Sequence, residues 1–464
     1  MELYGNQARI SKGQTLCYNE AMIKIMQTAR PYRRVRTLAL FVALALLLLP
    51  ACTTAMEPLP SAFSARPVTT ETPGVVSPSL SPATMPALTP TPVPTPLPTE
   101  TPVPTEPPAP TATPRPTLDP NLTAEEVVAA MTDMELLGQM VMLGFSGTET
   151  MPEDVAALYR DYKVGGVMLF GWNVKNFEQT KRLTTALEES NPTPQLPLFI
   201  AIDEEGGIVH RLPWKPATRS AATLGRRNNT KEVYEQYLRV AKELRRIGVN
   251  FNFAPVLDIA PDPSQTFMGN RMFGTEPKKV SKLIGYAIDG TQDGGALALG
   301  KHFPGHGLTA DDSHKVLPVV NATKAELKAY ALKPFAAAIE KNVDAILVGH
   351  LLVPALDSKY PASLSKNVIT GLLRQEMGYQ GLVFSDDMRM GAITSNYNIG
   401  EACVKFVLAG GDVVLVGKFP NKQKAALEAL AKAVESGRIT RARLEESALR
   451  IVRAKMGLMA NKDS

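Results

Sequence analysis

Lys301-His302-Phe303-Pro304-Gly305-His306-Gly307, followed by Asp312-Ser313-His314, gathers three of the chain's five histidines into thirteen residues. A carboxylate two positions before an imidazole suits proton transfer. In an extended loop, residues i and i+2 project to the same side, so Asp312 can hold the ring of His314 and raise its pKa. Unperturbed histidine titrates at about 6.5, so modest tuning lets it give a proton and take one back near neutrality. Pro304, Gly305 and Gly307 exclude a regular helix here, which makes the stretch a loop. The apolar run 295–300 before it reads as a buried strand. Parallel α/β enzymes keep their chemistry in the loops at such strand ends.

Further carboxylates stand at the ends of apolar runs. Asp386 and Asp387 follow the run 381–384, and Asp203 closes the run from Leu198. A carboxylate at a buried strand end has no packing role and needs a partner or a function. Strand alternation lets only one of Asp386 and Asp387 face the mouth of a barrel. Capping a following helix suits Asp387 better. For Asp203 the alternative is an ion pair with Arg211.

Positioning these groups is the work of eight short apolar runs: 140–145, 166–170, 198–203, 250–258, 296–302, 345–350, 382–386 and 413–417. Amphipathic segments of helical length separate most of them, among them 231–247, 324–341 and 366–377. Alternating strands and helices imply a parallel sheet, and eight units imply an α/β fold of the (β/α)8 TIM-barrel type. An open doubly wound sheet ranks below it, because no Gly-x-Gly-x-x-Gly turn follows the first strand.

Residues 1–52 stand outside that fold. Arg30, Arg33, Arg34 and Arg36 precede the apolar run 38–49, which has the length of a signal-peptide core rather than a membrane span. The run ends Leu49-Pro50-Ala51-Cys52, similar to a bacterial lipobox in which Cys52 is lipidated; ordinary secretion by cleavage near Ala51 is the alternative. Residues 53–121 form a Pro/Thr-rich linker, with 20 of the chain's 38 prolines between Pro58 and Pro120. Such a segment cannot bury a core and extends at about 3.1 Å per residue where polyproline II persists, a reach on the order of 190 Å. The catalytic domain is expected over 122–464, opening with a capping box at Thr123 and Glu126. Cys403 lies in an apolar helix, so no disulfide framework is implied. The net charge of +5 owes much to the basic N-terminal region. No basic patch with interleaved aromatics argues for nucleic acid.

From about Leu122 to Met459 the chain resembles glycoside hydrolase family 3, in its single-domain β-N-acetylglucosaminidase branch. The resemblance rests on six ordered motifs: Ile202-Asp203-Glu204-Glu205-Gly206-Gly207 with Arg211; the stretch 252–258 (NFAPVLD); 269–274 (GNRMFG); the Lys301–Gly307 loop; 361–365 (PASLS); and 384–388 (FSDDM). It implies that Asp386 is the nucleophile of a retaining mechanism, and that His314, oriented by Asp312, is the general acid/base. It further implies that Asp203, Arg211, Arg271, Lys301 and His302 bind the sugar. Glu205, Asp258, His306 and His350 are read as supporting groups, and Gly206 and Gly207 as allowing the backbone to turn near the ligand. The pattern is broken at Leu308, where the family has Asp.

The implied protein is an extracytoplasmic, lipid-anchored exo-hydrolase releasing terminal β-linked N-acetylglucosamine, with peptidoglycan fragments as substrate and no cofactor. β-Glucosidase activity and phosphorolysis in the same site are alternatives within the family. Outside it, a non-catalytic wall-binding lipoprotein and a zinc hydrolase are rivals. His302 and His306 are four apart, as in helical metal sites, but Pro304 and Gly305 prevent that helix, and no metal is expected.

Overall fold

The structure, a computed structural model, describes residues 118–460. The signal segment, Cys52 and all but residues 118–121 of the linker lie outside the described residues.

All eight expected strands are present: β1 (Val141–Gly144), β2 (Gly166–Leu169), β3 (Phe199–Ile202), β4 (Phe251–Asn252), β5 (Leu297–Phe303), β6 (Ala345–Val348), β7 (Leu382–Ser385) and β8 (Val414–Val416). They pair in parallel in the order β7-β6-β5-β4-β3-β2-β1-β8. An isolated parallel bridge, Phe384 to Val413, joins the two ends and closes the barrel. Two further bonds reinforce this seam: Ser385 N–H donates to Val413 O at 3.0 Å, and Leu415 N–H donates to Ser385 Oγ at 2.9 Å. The fold is therefore the expected (β/α)8 barrel.

Two elements depart from the sequence reading. The run 250–258 is regular strand only over β4: Pro255 has no N–H to give a ladder, and pairing resumes beyond it as one isolated parallel bridge, Val256 to Lys301. The segment 324–341 is two helices, Lys324–Ala329 and Lys333–Glu340, and Pro334 occupies the first turn of the second, where its missing N–H costs nothing. Elsewhere the periodic segments are single helices, such as Thr230–Arg246 and Asn367–Glu376. Thr123 and Glu126 form the expected capping box: Thr123 N–H donates to Glu126 Oε2 at 2.8 Å, and Glu126 N–H donates to Thr123 Oγ1 at 3.2 Å.

Aromatic rings fill the barrel. Phe251 meets Phe199, Phe253 and Phe384 edge-on, with centroids 5.4, 5.4 and 5.3 Å away. Edge-to-face packing suits rings whose faces are negative and whose rims are positive. Beneath this layer, at the N-terminal ends of the strands, Lys455 from the helix Arg441–Ala460 is fully buried. Its ammonium donates to Gln139 Oε1 at 2.6 Å and Gly165 O at 2.8 Å, and it lies 4.9 Å from the Phe199 centroid. Burial pushes its pKa down to about 7. A closed floor leaves the C-terminal face as the open end of the barrel.

Candidate active site

At that open end a cleft of about 530 Å³ is lined by Asp203, Glu205, Arg211, Arg271, Lys301, His302, His314 and Asp386, among others. Seven of the eight expected site side chains thus meet in one cavity, and the eighth, Asp312, holds His314.

A bulge in β5 explains how two successive residues serve the cleft. The pairing of β5 with β6 shifts register between Lys301 and Phe303. An extra residue in a strand re-aims side chains that strict alternation would send to opposite faces. Lys301 Nζ reaches Asp203 Oδ1 at 2.5 Å and Glu205 Oε1 at 2.7 Å. His302 Nδ1 reaches Asp258 Oδ2 at 2.7 Å.

Glu205 is more than a support. It lines the cleft, and the Arg271 guanidinium donates to both its oxygens at 2.8 Å. Burial opposes its charge, but the Lys301 ammonium and the Arg271 guanidinium more than offset that and hold it at about pKa 2. The same two carboxylates raise the pKa of Lys301 against its burial. The expected alternative pair of Asp203 with Arg211 does not form; Asp203 bonds Lys301 instead. Among the described residues the Arg211 guanidinium has no hydrogen-bond partner, so its donors are available to a ligand. Its backbone N–H donates to Glu204 Oε2 at 2.6 Å, and Glu204 Oε1 accepts from His210 Nδ1 at 2.7 Å. Glu204, a member of the 202–207 motif to which the sequence assigns no role of its own, therefore fixes the loop carrying Arg211. Gly206 and Gly207 start that loop with φ of 87° and 60°. A Cβ on Gly206 would lie 2.5 Å from Thr218 Oγ1, so side chains are excluded there sterically as well.

Asp386 and Asp387 both border the cleft, against the expectation that only one would, but their carboxylates take different tasks. Asp386 lines the cleft and accepts from Asp387 N–H at 2.8 Å. Burial works against its charge, yet His350, His302, the Asp387 N–H and His314 hold its pKa below the usual carboxylate value. Because burial pushes His350 toward its neutral form, the Asp387 N–H is a more durable contribution than His350 near neutral pH. The Asp387 carboxylate turns toward β8: it accepts from Gly417 N–H at 3.0 Å and pairs with Arg389 at 2.5 Å. It caps no helix, contrary to the alternative weighed above; the next helix, Gly391–Thr394, has Met390 at its N-cap.

The dyad forms, though not as an extended segment. Asp312 Oδ1 accepts from His314 N–H at 3.0 Å and contacts His314 Nδ1 at 2.7 Å. The first of these bonds makes the stretch an Asx turn, and Lys315 N–H donates to Asp312 O at 2.9 Å to close a β-turn around it. The turn places side chains i and i+2 together by folding back rather than by alternation. His314 keeps 65% of its side chain exposed, with Nδ1 engaged and Nε2 facing outward from the carboxylate. The backbone and side chain of His314 overcome burial to lower the pKa of Asp312.

Beneath the dyad, Asp258 accepts from His302 Nδ1 and, at 2.6 Å, from His306 N–H. His350 bonds Ser363 Oγ at 2.7 Å through Nδ1, and Ser365 Oγ donates to Asp357 Oδ2 at 2.6 Å, which accounts for both serines of the 361–365 motif. Leu308, where the family pattern has Asp, packs against the hydrophobic core. Among the described residues no group of three or more His, Cys, Asp or Glu side chains is arranged to hold a metal ion. Trp172, Phe267 and Arg389 also line the cleft without having been singled out in the sequence. A lone aromatic or cation in a loop carries no sequence signal that separates it from an ordinary surface residue.

Residues 132–454 match the glycosyl hydrolase family 3 N-terminal domain. The chain is 31% identical over 369 residues to β-hexosaminidase A of Pseudoalteromonas piscicida, covering 71% of this chain and 62% of that protein. It is 31% identical to the β-hexosaminidase LpqI of Mycobacterium tuberculosis, covering 71% of this chain and 84% of that protein. Among solved structures, a family 3 β-N-acetylglucosaminidase from a Paenibacillus species superposes with a TM-score of 0.69 at 40% identity, covering 72% of this chain and 64% of that one. The chain therefore spans less than two thirds of the Pseudoalteromonas and Paenibacillus proteins.

Proposed function

This chain belongs to glycosyl hydrolase family 3, and from that premise we propose that it is a retaining exo-β-N-acetylhexosaminidase acting on terminal β-linked N-acetylglucosamine, with peptidoglycan fragments as its natural substrate. The observation that carries the reading is the pairing, in one cleft, of a carboxylate kept ionised (Asp386) with an exposed imidazole held by a carboxylate (His314 on Asp312). Asp386 attacks the anomeric carbon and forms a glycosyl ester as the bond to the leaving oxygen breaks, and His314 Nε2 delivers the proton that oxygen needs. His314, now neutral, takes a proton from water, whose oxygen attacks the anomeric carbon and releases Asp386. Asp203, Lys301, Arg271, Arg211 and His302 orient the sugar hydroxyls. The relatives named β-hexosaminidase support the choice of N-acetylated sugar.

Secretion and lipidation at Cys52 belong to the same proposal, with the Pro/Thr-rich linker as the tether between membrane and barrel. The deciding assay compares aryl β-glycosides of N-acetylglucosamine and of glucose, each with and without phosphate. Release of free N-acetylglucosamine with retained β-configuration, at an unchanged rate in phosphate, is the expected result. Preference for glucose, or a sugar phosphate as product, would move the assignment to β-glucosidase or phosphorylase.

A further inference from the structure

The loop that carries the dyad is tied down at a single buried residue. From Ala310 through Val316 every residue is exposed or half-exposed except Ser313, which is 2% exposed. Its hydroxyl meets His306 Nε2 at 3.0 Å. His306 is itself 1% exposed, and its other ring nitrogen, Nδ1, is buried without a partner. Among the described residues Ser313 is therefore the only hydrogen-bond partner of that imidazole ring. Opening the loop would strand both ring nitrogens in the interior, so the buried ring favours the closed arrangement. His306 is a firm anchor: its backbone N–H is held by Asp258, the same carboxylate that orients His302, and the Phe267 ring packs edge-on 4.6 Å away. On the other side, the first two amides of the helix Gly391–Thr394 reach the same loop. Gly391 N–H donates to His314 O at 3.1 Å, and Ala392 N–H donates to Ser313 O at 3.2 Å. That helix follows directly on the Asp386 strand end.

We infer that the Ser313 hydroxyl and the His306 ring form a latch that holds the proton-transfer loop over the nucleophile, which makes both of them positioning residues for His314. The inference rests on the catalytic reading of Asp386 and His314 above. A single neutral hydrogen bond backed by two backbone bonds favours the closed loop without fixing it there, as suits a loop that must also pass substrate and product.

The test reads kcat/KM, which reports glycosylation, over a series of aryl β-N-acetylglucosaminides from dinitrophenyl to phenyl. A dinitrophenolate leaves without a proton; a phenolate needs one. Ser313→Ala should cost about tenfold on the phenyl glycoside, the effect of one net hydrogen bond on the closed population. On the dinitrophenyl glycoside it should cost less than about threefold. Ser313→Thr, which keeps the hydroxyl, should restore the wild-type rate on the phenyl glycoside. In a His314→Ala background, Ser313→Ala should add nothing, because the latch acts only through that imidazole. Should Ser313→Ala not fold, Gly391→Ala provides the second arm. Its Cβ would fall 2.6 Å from Lys315 O and 2.8 Å from His314 O, so it loosens the loop from the other side and should reproduce the same slope. Equal losses across all leaving groups, or a loss that persists without His314, would overturn the latch. If His314→Ala itself shows no dependence on leaving group, the catalytic reading falls and the latch falls with it.

Discussion

Glu205→Gln removes one charge from the buried cluster of Asp203, Glu205, Lys301 and Arg271 while keeping the shape of the side chain. The wild-type cluster is neutral, with two carboxylates against two cations. The variant leaves Lys301, whose side chain is 4% exposed, and Arg271 sharing Asp203 alone. Held at about pKa 2 against an ordinary 4.5, the Glu205 charge contributes about 3 kcal/mol at neutral pH. That matches the low end of the roughly 3–5 kcal/mol lost when one partner of a buried pair is removed. For a domain of this size, such a loss lowers Tm by roughly 4 °C. The pH dependence is the sharper check. The folded pKa lies below the unfolded one, so the stabilisation is complete above about pH 4.5 and disappears as the pH falls toward 2. Thermal melts of wild type and variant should therefore differ fully at pH 7 and at pH 5.5. By pH 3.5, where the unfolded chain is largely protonated and the folded one is not, the gap should narrow by about two fifths. A variant as stable as wild type at pH 7, or a gap that stays constant down to pH 3.5, would refute the reasoning.

Asp386→Asn should lower kcat on activated and unactivated substrates alike, by on the order of 10³-fold or more, whereas Asp387→Asn should cost far less; the reverse order of rates would shift the nucleophile by one residue. His314→Ala should cost about 10²–10⁴-fold more on a disaccharide than on a nitrophenyl glycoside, and azide should speed turnover of the activated substrate; equal losses with no azide response would assign His314 to binding. For Lys455, pushed down to about 7 from 10.5, the unfolded chain binds the extra proton between those values, so stability should rise with pH across that window. Lys455→Met should flatten the rise by up to about 1.4 kcal/mol per pH unit, read by denaturant unfolding from pH 7 to 10. Cys52→Ala should move the protein from the membrane to the soluble fraction at unchanged specific activity; unchanged membrane association would count against the lipobox.

Much of this site could be read in the chain because the fold places chemistry where hydrophobic runs end. Asp203 and Asp386 each stand at the end of a buried strand, and Lys301 lies among the last residues of another; a charged residue at such a point has few explanations. The same reasoning fails where geometry comes from non-local hydrogen bonds. Nothing in Glu204 distinguishes it from Glu205 in sequence; only the fold sends one to His210 and the backbone of Arg211, and the other to Lys301 and Arg271. The i,i+2 spacing of Asp312 and His314 is legible in the chain and the family resemblance gives it a role, yet the Asx turn that joins the pair requires the aspartate to bond the backbone as well as the ring. Pro334 splits a periodic stretch that apolar spacing alone presents as one helix.

The closing seam of the barrel has a consequence for the proposed nucleophile. Asp386 stands between Ser385, whose hydroxyl receives Leu415 N–H, and Asp387, whose carboxylate receives Gly417 N–H. Both neighbours are fastened to β8, so the residue between them is mounted at two points on a strand that its own strand scarcely pairs with. A carboxylate that must attack, carry a sugar and leave again gains from keeping one orientation throughout. Here the reorganisation it would otherwise undergo in each cycle is met once, when the chain folds and the barrel closes.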